Sequence, residues 1–173
     1  MSTAAGPSSA TDTSETDTTG AAPVTSVEDM ARGCDDRGVQ AITPYLLYAD
    51  SEAAIDFLVD AFGFREVLRH TGDDGRVNHA ELALGDGEVM LGTPPGGFEA
   101  PRESGVMVHV YVDDIDAHFS RAQEAGAEIE SEPMDQPYGD RSYHVKDPEG
   151  HSWYFSQHVR DVAPGEWGAQ VGA

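Results

Sequence analysis

The sequence has few of the residues that cross-link secreted folds or bind polyanions. Its 173 residues include one cysteine, Cys34, and one lysine, Lys146. A single cysteine cannot form a disulfide within the chain, and Cys34 precedes the predicted domain, so we expect no catalytic role for it. Lys and Arg number 10 against 32 Asp and Glu, a net charge of -22. Such a surface repels nucleic acid and anionic membranes, so neither is an expected partner.

Long apolar segments are also missing. No N-terminal basic stretch is followed by an apolar run, so the sequence predicts no signal peptide. No run approaches the roughly 18 apolar residues that a membrane-spanning helix needs. We therefore expect a cytoplasmic protein without membrane contact. The acidic, lysine-poor composition is compatible with a halophilic source and equally with a GC-rich genome, and the sequence leaves both open.

The composition divides the chain into three parts. Residues 1–38 are mostly Ser, Thr, Ala, Gly, Pro and acidic residues, which cannot bury enough apolar surface to offset the entropy of ordering, so we predict a disordered tail. Residues 39–165 form the predicted domain. Residues 166–173 are predicted to be a C-terminal tail. Within the domain, a linker rich in Pro and Gly at 94–105 separates module one, 39–93, from module two, 106–158.

Each module has the same predicted order of elements: strand, helix and three further strands. In module one, Asp50 or Ser51 caps a helix that Gly63 ends. In module two, Asp113 or Asp114 caps a helix to about Glu124. The predicted strands are 43–48, 64–70, 77–84 and 88–91 in module one, and 106–112, 127–130, 141–145 and 152–156 in module two.

A repeated spacing indicates that the modules are copies of one unit. Three pairs of residues with matching roles are each 63 positions apart: Asp50 and Asp113, Gly63 and Gly126, and Gly87 and Gly150. The pairs are predicted to be a helix-capping acid, a helix-ending glycine and a turn glycine, and each role favours its residue type for a separate physical reason. We therefore infer a duplicated βαβββ unit. The predicted fold is α+β: two βαβββ modules form a curved, half-open mixed sheet around a central cleft, with the helices outside.

Several short motifs resemble those of the vicinal-oxygen-chelate (glyoxalase/bleomycin-resistance/dioxygenase) superfamily, and most closely its PhnB-like branch. The resemblance covers about residues 39–165. The motifs are Thr43-Pro44-Tyr45-Leu46, Ala54-Ile55-Asp56-Phe57, Ala61-Phe62-Gly63, His79-Ala80-Glu81-Leu82, Val110-Tyr111-Val112-Asp113-Asp114, Tyr138-Gly139-Asp140-Arg141, Asp147-Pro148-Glu149-Gly150-His151 and Trp153. The resemblance implies the fold, but this fold supports lyases, isomerases, dioxygenases, thiol transferases and drug-binding proteins.

The resemblance also implies where a metal would bind. Metal-dependent members have His, Glu or Gln on the first and last strand of each module. Those positions here are Thr43, Met90, Met107 and Tyr154. If the register of the last strand of module one differs by one residue, Leu91 takes the position of Met90. Thioether, hydroxyl and alkyl groups are not usual ligands of hard or borderline divalent ions. We therefore expect no metal cofactor.

Strand alternation predicts which side chains face the cleft. The alternate residues Leu46, Tyr48, Trp153 and Phe155 pack against the helices, as do valines 106, 108, 110 and 112. The predicted ligand-binding residues are Tyr45, Leu47, Met90, Met107, His109, Tyr111, Arg141 and Tyr154. His79 and Glu81 are candidate general bases, and together with His109 they could form a displaced divalent-metal site. The sequence places His118 on a solvated helix face, and the orientation of His144 is open.

These observations favour a glyoxalase/bleomycin-resistance-like protein that binds a small aromatic or cationic molecule in the cleft without a metal. A lyase or isomerase of the glyoxalase type, with a displaced divalent metal or a His/Glu base, is the first alternative. A non-catalytic interaction domain is the second, and whether the protein is an enzyme stays open. We also expect a homodimer, because a βαβββ sheet leaves edges that a symmetric partner can cover.

Overall fold

The computed structural model describes residues 40–99 and 105–172 and has the predicted order of elements in each module. Module one contains β1 (Tyr45–Leu47), α1 (Ser51–Phe62), β2 (Arg65–Thr71), β3 (Val77–Leu84) and β4 (Gly87–Gly92). Module two contains β5 (Met107–Tyr111), α2 (Ile115–Glu124), β6 (Glu128–Asp135), β7 (Asp140–Lys146) and β8 (Ser152–His158). A 3₁₀ turn, Pro164–Glu166, follows β8.

The strands form two four-stranded mixed sheets, one for each module. The first sheet has the order β1-β4-β3-β2 and the second has the order β5-β8-β7-β6. In each sheet the first and last strands of the module are parallel neighbours, and the other neighbours are antiparallel. The predicted α+β fold with two βαβββ modules is confirmed, with the strands divided between two sheets.

Both helices begin at the predicted aspartates. The Asp50 side chain accepts a hydrogen bond from Ala53 N at 3.1 Å, and Asp114 accepts from Ala117 N at 3.0 Å. The structure thus selects Asp114 over Asp113 as the second cap. Gly63 ends α1 at φ 77°, a left-handed conformation that glycine adopts without steric cost.

The core lies between the helices and one face of each sheet. Leu46, Tyr48, Trp153 and Phe155 are all buried, as strand alternation predicts. One prediction is wrong: Val106 is 68% exposed, because β5 begins only at the following residue. Valines 108, 110 and 112 do pack against the core.

The turn before β8 joins module two to module one through two carboxylates. Buried Asp147 accepts hydrogen bonds from Tyr48 Oη at 2.6 Å and from Trp153 Nε1 at 3.1 Å. Glu149 accepts from the backbone amides of Ala49 and Asp50 at 2.7 and 2.9 Å, just before α1 begins. A carboxylate at this position compensates the positive end of the helix dipole. We call Asp147 and Glu149 the intermodule turn.

The helices also contact each other across the module boundary. Arg121 donates to the carbonyls of Asp60 and Val59 at 2.6 and 2.7 Å, which satisfies acceptors at the C-terminus of α1. His118 contacts Phe62 O at 3.0 Å and Tyr143 Oη at 2.7 Å. The prediction of a solvated position for His118 is therefore wrong, since this side of α2 faces module one.

Some predictions fall outside the described residues. The tail 1–38, with Cys34, and part of the linker 94–105 are among them. In the part of the chain that the structure describes, no helix is both long and apolar enough to cross a membrane.

Candidate ligand site on the open sheet faces

Each sheet has one face turned away from the helices, and these two surfaces, which we call the open faces, carry most of the predicted site residues. In each sheet, a row of residues that pair across neighbouring strands runs over the open face. The first row is Tyr45, Met90, Glu81 and Leu68, and the second is His109, Tyr154, His144 and Ser131. Because paired residues project to the same side, alternation in sequence becomes a continuous surface.

A chain of hydrogen-bonding groups crosses the first open face. Tyr45 Oη lies 3.2 Å from His79 Nδ1, and His79 Nε2 lies 3.3 Å from Glu81 Oε1. The Tyr45 ring lies beside Gly92 on β4, where an added Cβ would be 2.8 Å from Tyr45 Oη and would overlap the carbonyl oxygen of Asn78. Glycine at this position is therefore what allows Tyr45 to reach His79.

Aromatic rings cluster on the second open face. The His109 ring stacks on Tyr111 with centroids 5.0 Å apart and meets Tyr154 edge-on at 5.2 Å. His109 Nε2 lies 2.8 Å from the hydroxyl of buried Ser156, which fixes the ring orientation. Burial lowers the pKa of His109 while nearby Asp140 opposes that shift, so the neutral imidazole is favoured at neutral pH.

Asp140 lies beneath the exposed ring of Tyr111 and is itself buried. It accepts hydrogen bonds from Tyr111 Oη at 2.8 Å and from His158 Nδ1 at 2.9 Å. These bonds to Asp140 are the main reason that the pKa of Tyr111 and of His158 is raised. Tyr111 therefore keeps its proton and stays fixed over the carboxylate.

Two aromatic residues that sequence reasoning missed extend this surface. Tyr138 Oη lies 3.4 Å from Tyr154 Oη, and burial, followed by that contact, raises the pKa of Tyr138 to about 12. Trp167 meets the Tyr138 ring edge-on at 5.7 Å. Trp167 belongs to the segment predicted as a tail, and a lone tryptophan in a polar segment was the available signal that it packs on the domain.

Arg141 does not reach the open face. Its neighbours Ser142 and Asp140 project there, whereas Arg141 pairs with Asp116 of α2 at 3.1 Å and with Asp135 at 3.0 Å. The prediction that Arg141 lines the ligand site is therefore wrong. Strand alternation explains the result, because Tyr143 and Val145 on the same side of β7 are core residues.

The candidate metal ligands do not converge within one chain. His79 and Glu81 are adjacent on β3, but His109 lies on the other sheet against Ser156. Among residues 40–99 and 105–172, no group of three His, Cys, Asp or Glu side chains could hold a metal ion. The four positions that the resemblance implies for a metal are not paired with one another either. Met90 lies opposite Tyr45 and not Thr43, and Tyr154 lies opposite His109 and not Met107.

The site residues are divided among separate grooves. A groove of about 300 Å³ contains His109 and Tyr111 with Pro44 of module one. A second, of about 230 Å³, contains Tyr45 and Leu47. A third groove, of about 730 Å³, lies between the end of α1 and the start of α2, and Tyr111 is the one predicted site residue that lines it. The predicted single cleft is therefore not enclosed within one chain.

Comparison with known families identifies the fold. Residues 38–155 match the model of the Glyoxalase/Bleomycin resistance protein/Dioxygenase superfamily. The chain belongs to this superfamily. The chain is also similar to an uncharacterized protein of Mycobacterium bovis. The two are 40% identical over 130 residues, which cover 70% of this chain and 86% of that protein.

Solved structures agree with the superfamily assignment. TioX from Micromonospora sp. ML1 is 36% identical to this chain, with a TM-score of 0.58. The match covers 72% of this chain and 100% of TioX. A glyoxalase/bleomycin resistance protein/dioxygenase from Nocardioides is 24% identical with a TM-score of 0.57, covering 78% and 91% of the two chains. At that identity the Nocardioides structure supports the fold alone.

Proposed function

We propose that this superfamily member binds a small aromatic or cationic molecule on its open faces without a metal, and does so as a homodimer. One observation carries the proposal: large side chains are exposed where a solitary domain would bury or avoid them. Tyr45 is 47% exposed, Leu47 39%, Met107 48% and Tyr111 61%. Tyr45 and Leu47 lie on the first open face and Met107 and Tyr111 on the second, and exposed apolar surface on a sheet face is typical of interaction sites. A second chain laid against these faces would convert open grooves into an enclosed pocket.

The chemistry of the second open face favours a flat or positively charged ligand. Rings of Tyr111, His109 and Tyr154 offer stacking surfaces, and the carboxylate of Asp140 lies beneath Tyr111. Cations are attracted to aromatic faces and to a net negative protein. The placement in the PhnB-like branch and the cytoplasmic location remain predictions.

The experiment is a calorimetric titration with bleomycin and with proflavine, a planar cationic dye. We expect at least one to bind and to raise Tm. Tyr111→Ala should weaken binding at least tenfold, whereas Val171→Ala, an exposed position outside both sheets, should not change it. If neither probe binds at millimolar concentration, or if Tyr111→Ala binds equally well, the proposal is wrong.

A lyase or isomerase reaction is a second candidate, supported by the chain Tyr45–His79–Glu81. A carboxylate in contact with an imidazole is a common general-base arrangement. The test is conversion of the hemithioacetal of methylglyoxal and glutathione. Activity that is lost in Glu81→Gln and kept in His70→Ala, an exposed histidine on β2, would favour this candidate over simple binding.

A further inference from the structure

Three polar side chains on adjacent strands of the second sheet are arranged like a nucleophile, its base and an orienting acid. His144 on β7 places Nε2 2.5 Å from Ser152 Oγ on β8. On its other side, His144 Nδ1 lies 2.8 Å from Glu130 Oε2 on β6. All three belong to the open face of this sheet. The sequence left the orientation of His144 open, and these contacts direct its ring toward Ser152 and Glu130.

A β-bulge brings Glu130 into position. Ile129 pairs with Val145 and Ser131 pairs with His144, so two steps along β6 correspond to one step along β7. Glu130 is the extra residue, and its side chain is free of the regular alternation. Bulges of this kind re-aim side chains and are over-represented beside active sites. Without the bulge, Glu130 would have its own ladder partner and would not share His144 with Ser131.

The two contacts of His144 favour one tautomer of the neutral imidazole. An ionised carboxylate only accepts hydrogen bonds, so in that tautomer the Nδ1–H of His144 donates a hydrogen bond to Glu130. Nε2 then has a free lone pair and accepts a hydrogen bond from the Ser152 hydroxyl. The Lys146 ammonium lies 2.5 Å from the other oxygen of Glu130, and this bond lowers the pKa of Glu130 and keeps it ionised.

The serine is accessible, unlike a similar serine nearby. Ser152 is half-buried, and Met107, which is 48% exposed, lies directly opposite it on β5 as an apolar contact for a small acyl group. Ser156 also touches an imidazole, that of His109, at 2.8 Å, but it is fully buried. A buried hydroxyl cannot approach a carbonyl carbon, so of these two serines Ser152 alone combines the base with access.

We propose that Ser152, His144 and Glu130 form a Ser–His–Glu site that hydrolyses small activated esters. Ser152 Oγ attacks the carbonyl carbon while its proton passes to His144 Nε2. The bond from the carbonyl carbon to the leaving oxygen breaks, and that oxygen takes the proton from His144. A water molecule, deprotonated by His144, then cleaves the acyl–Ser152 ester, releases the carboxylic acid and restores the hydroxyl. This activity goes beyond ligand binding, which requires no covalent step.

The test is labelling of the full-length chain with a fluorophosphonate probe. Attack by Ser152 forms a serine–phosphorus ester and releases the fluoride and the serine proton as HF, so the intact mass should increase by the mass of one probe less HF per chain. Peptide mapping should place the probe on Ser152. Ser152→Ala and His144→Ala should lose the label, and the control Ser120→Ala, an exposed helical serine with no imidazole partner, should keep it.

Glu130→Gln separates a positioning role from a structural one. Labelling should slow at least tenfold, and the pH profile of labelling should change, because the imidazolium that forms when Ser152 attacks loses its carboxylate partner. Release of p-nitrophenol from p-nitrophenyl acetate should change in the same way as labelling: it should be lost in Ser152→Ala and His144→Ala, slowed in Glu130→Gln and kept in Ser120→Ala. The proposal is wrong if no adduct forms, if the adduct maps to another residue, or if Ser152→Ala reacts at an unchanged rate.

Discussion

The hydroxyl of Tyr48, at the end of β1, donates a 2.6 Å hydrogen bond to Asp147, which lies 99 positions later in the turn before β8. Both side chains are almost completely buried, at 1% and 2% exposure. The His151 ring lies tilted against the Tyr48 ring, with centroids 4.3 Å apart, and its Nδ1 lies 3.2 Å from the same carboxylate. The contact therefore couples the first strand of module one to the last strand of module two.

Asp147→Asn should destabilise the domain by about 3 kcal/mol, because it removes one partner of a buried charged contact. The amide also presents donors toward Tyr48 and Trp153, which are themselves donors to this site. Urea unfolding followed by tryptophan fluorescence measures the change. Asp73→Asn, at an exposed hairpin turn, is the matched control and should stay within about 0.5 kcal/mol of the unmodified chain. Equal stability of the two variants would contradict the role of Asp147.

The stability of the domain should fall in acid through Asp147. Burial raises the pKa of this carboxyl, but hydrogen bonds from His151, Tyr48 and Trp153 outweigh burial and hold the pKa below its ordinary value. A lowered folded pKa means that the stabilisation is complete above the unfolded pKa, about 3.9, and is lost as pH falls through the folded pKa. Urea unfolding between about pH 7 and pH 2.5 should show this loss. The acid loss should be smaller in Asp147→Asn, and an unchanged profile would refute the assignment.

Gly92→Ala should destabilise the first sheet by about 1 to 3 kcal/mol, because the new methyl group overlaps the carbonyl of Asn78 and crowds Tyr45. Gly87→Ala is a matched control on the same strand, since its nearest atom, the carbonyl oxygen of Leu84, would be 3.4 Å away. Urea unfolding distinguishes the two. Two variants of equal stability would show that the backbone at Gly92 moves aside freely.

The chain should be a homodimer in solution. Light scattering should give twice the chain mass of 18.5 kDa at micromolar concentration. Leu68→Glu, which places a charge on the first open face, should shift the mass toward the monomer. Val171→Glu, outside both sheets, should not. A monomer mass for the unmodified chain would refute the prediction.

Protein purified without a chelator or an affinity tag should contain no stoichiometric Zn, Ni, Fe or Mn. The reason is the chemistry of Thr43, Met90, Met107 and Tyr154, which supply none of the usual ligand groups. Elemental analysis of the unmodified chain and of His79→Ala is the measurement. One metal per chain that disappears in His79→Ala would favour the metal-dependent lyase or isomerase.

Local chemistry explains what the sequence could predict. Asp50 and Gly63 are strong helix boundaries in any context, and period-two alternation on β8 separates Trp153 from Tyr154 without knowledge of the partner strands. The same reasoning identified most open-face residues.

The errors and omissions arise from contacts between distant segments. Arg141 was predicted to line the ligand site, but the register of β7 turns it toward α2. His118 looked solvated on its own helix because module one, which covers it, is remote in sequence. The bulge at Glu130 could not be recognised at all, since a bulge exists only relative to the neighbouring strand.

The intermodule turn has a consequence for how the chain folds. The hydroxyl of Tyr48 and the amides of Ala49 and Asp50 obtain their acceptors from Asp147 and Glu149, about 100 residues further on. During synthesis, module one is complete long before those carboxylates leave the ribosome. Contacts of such sequence separation close late, because loop-closure entropy must be overcome first. The start of α1 therefore forms its final hydrogen bonds only when the penultimate turn of the domain has been made.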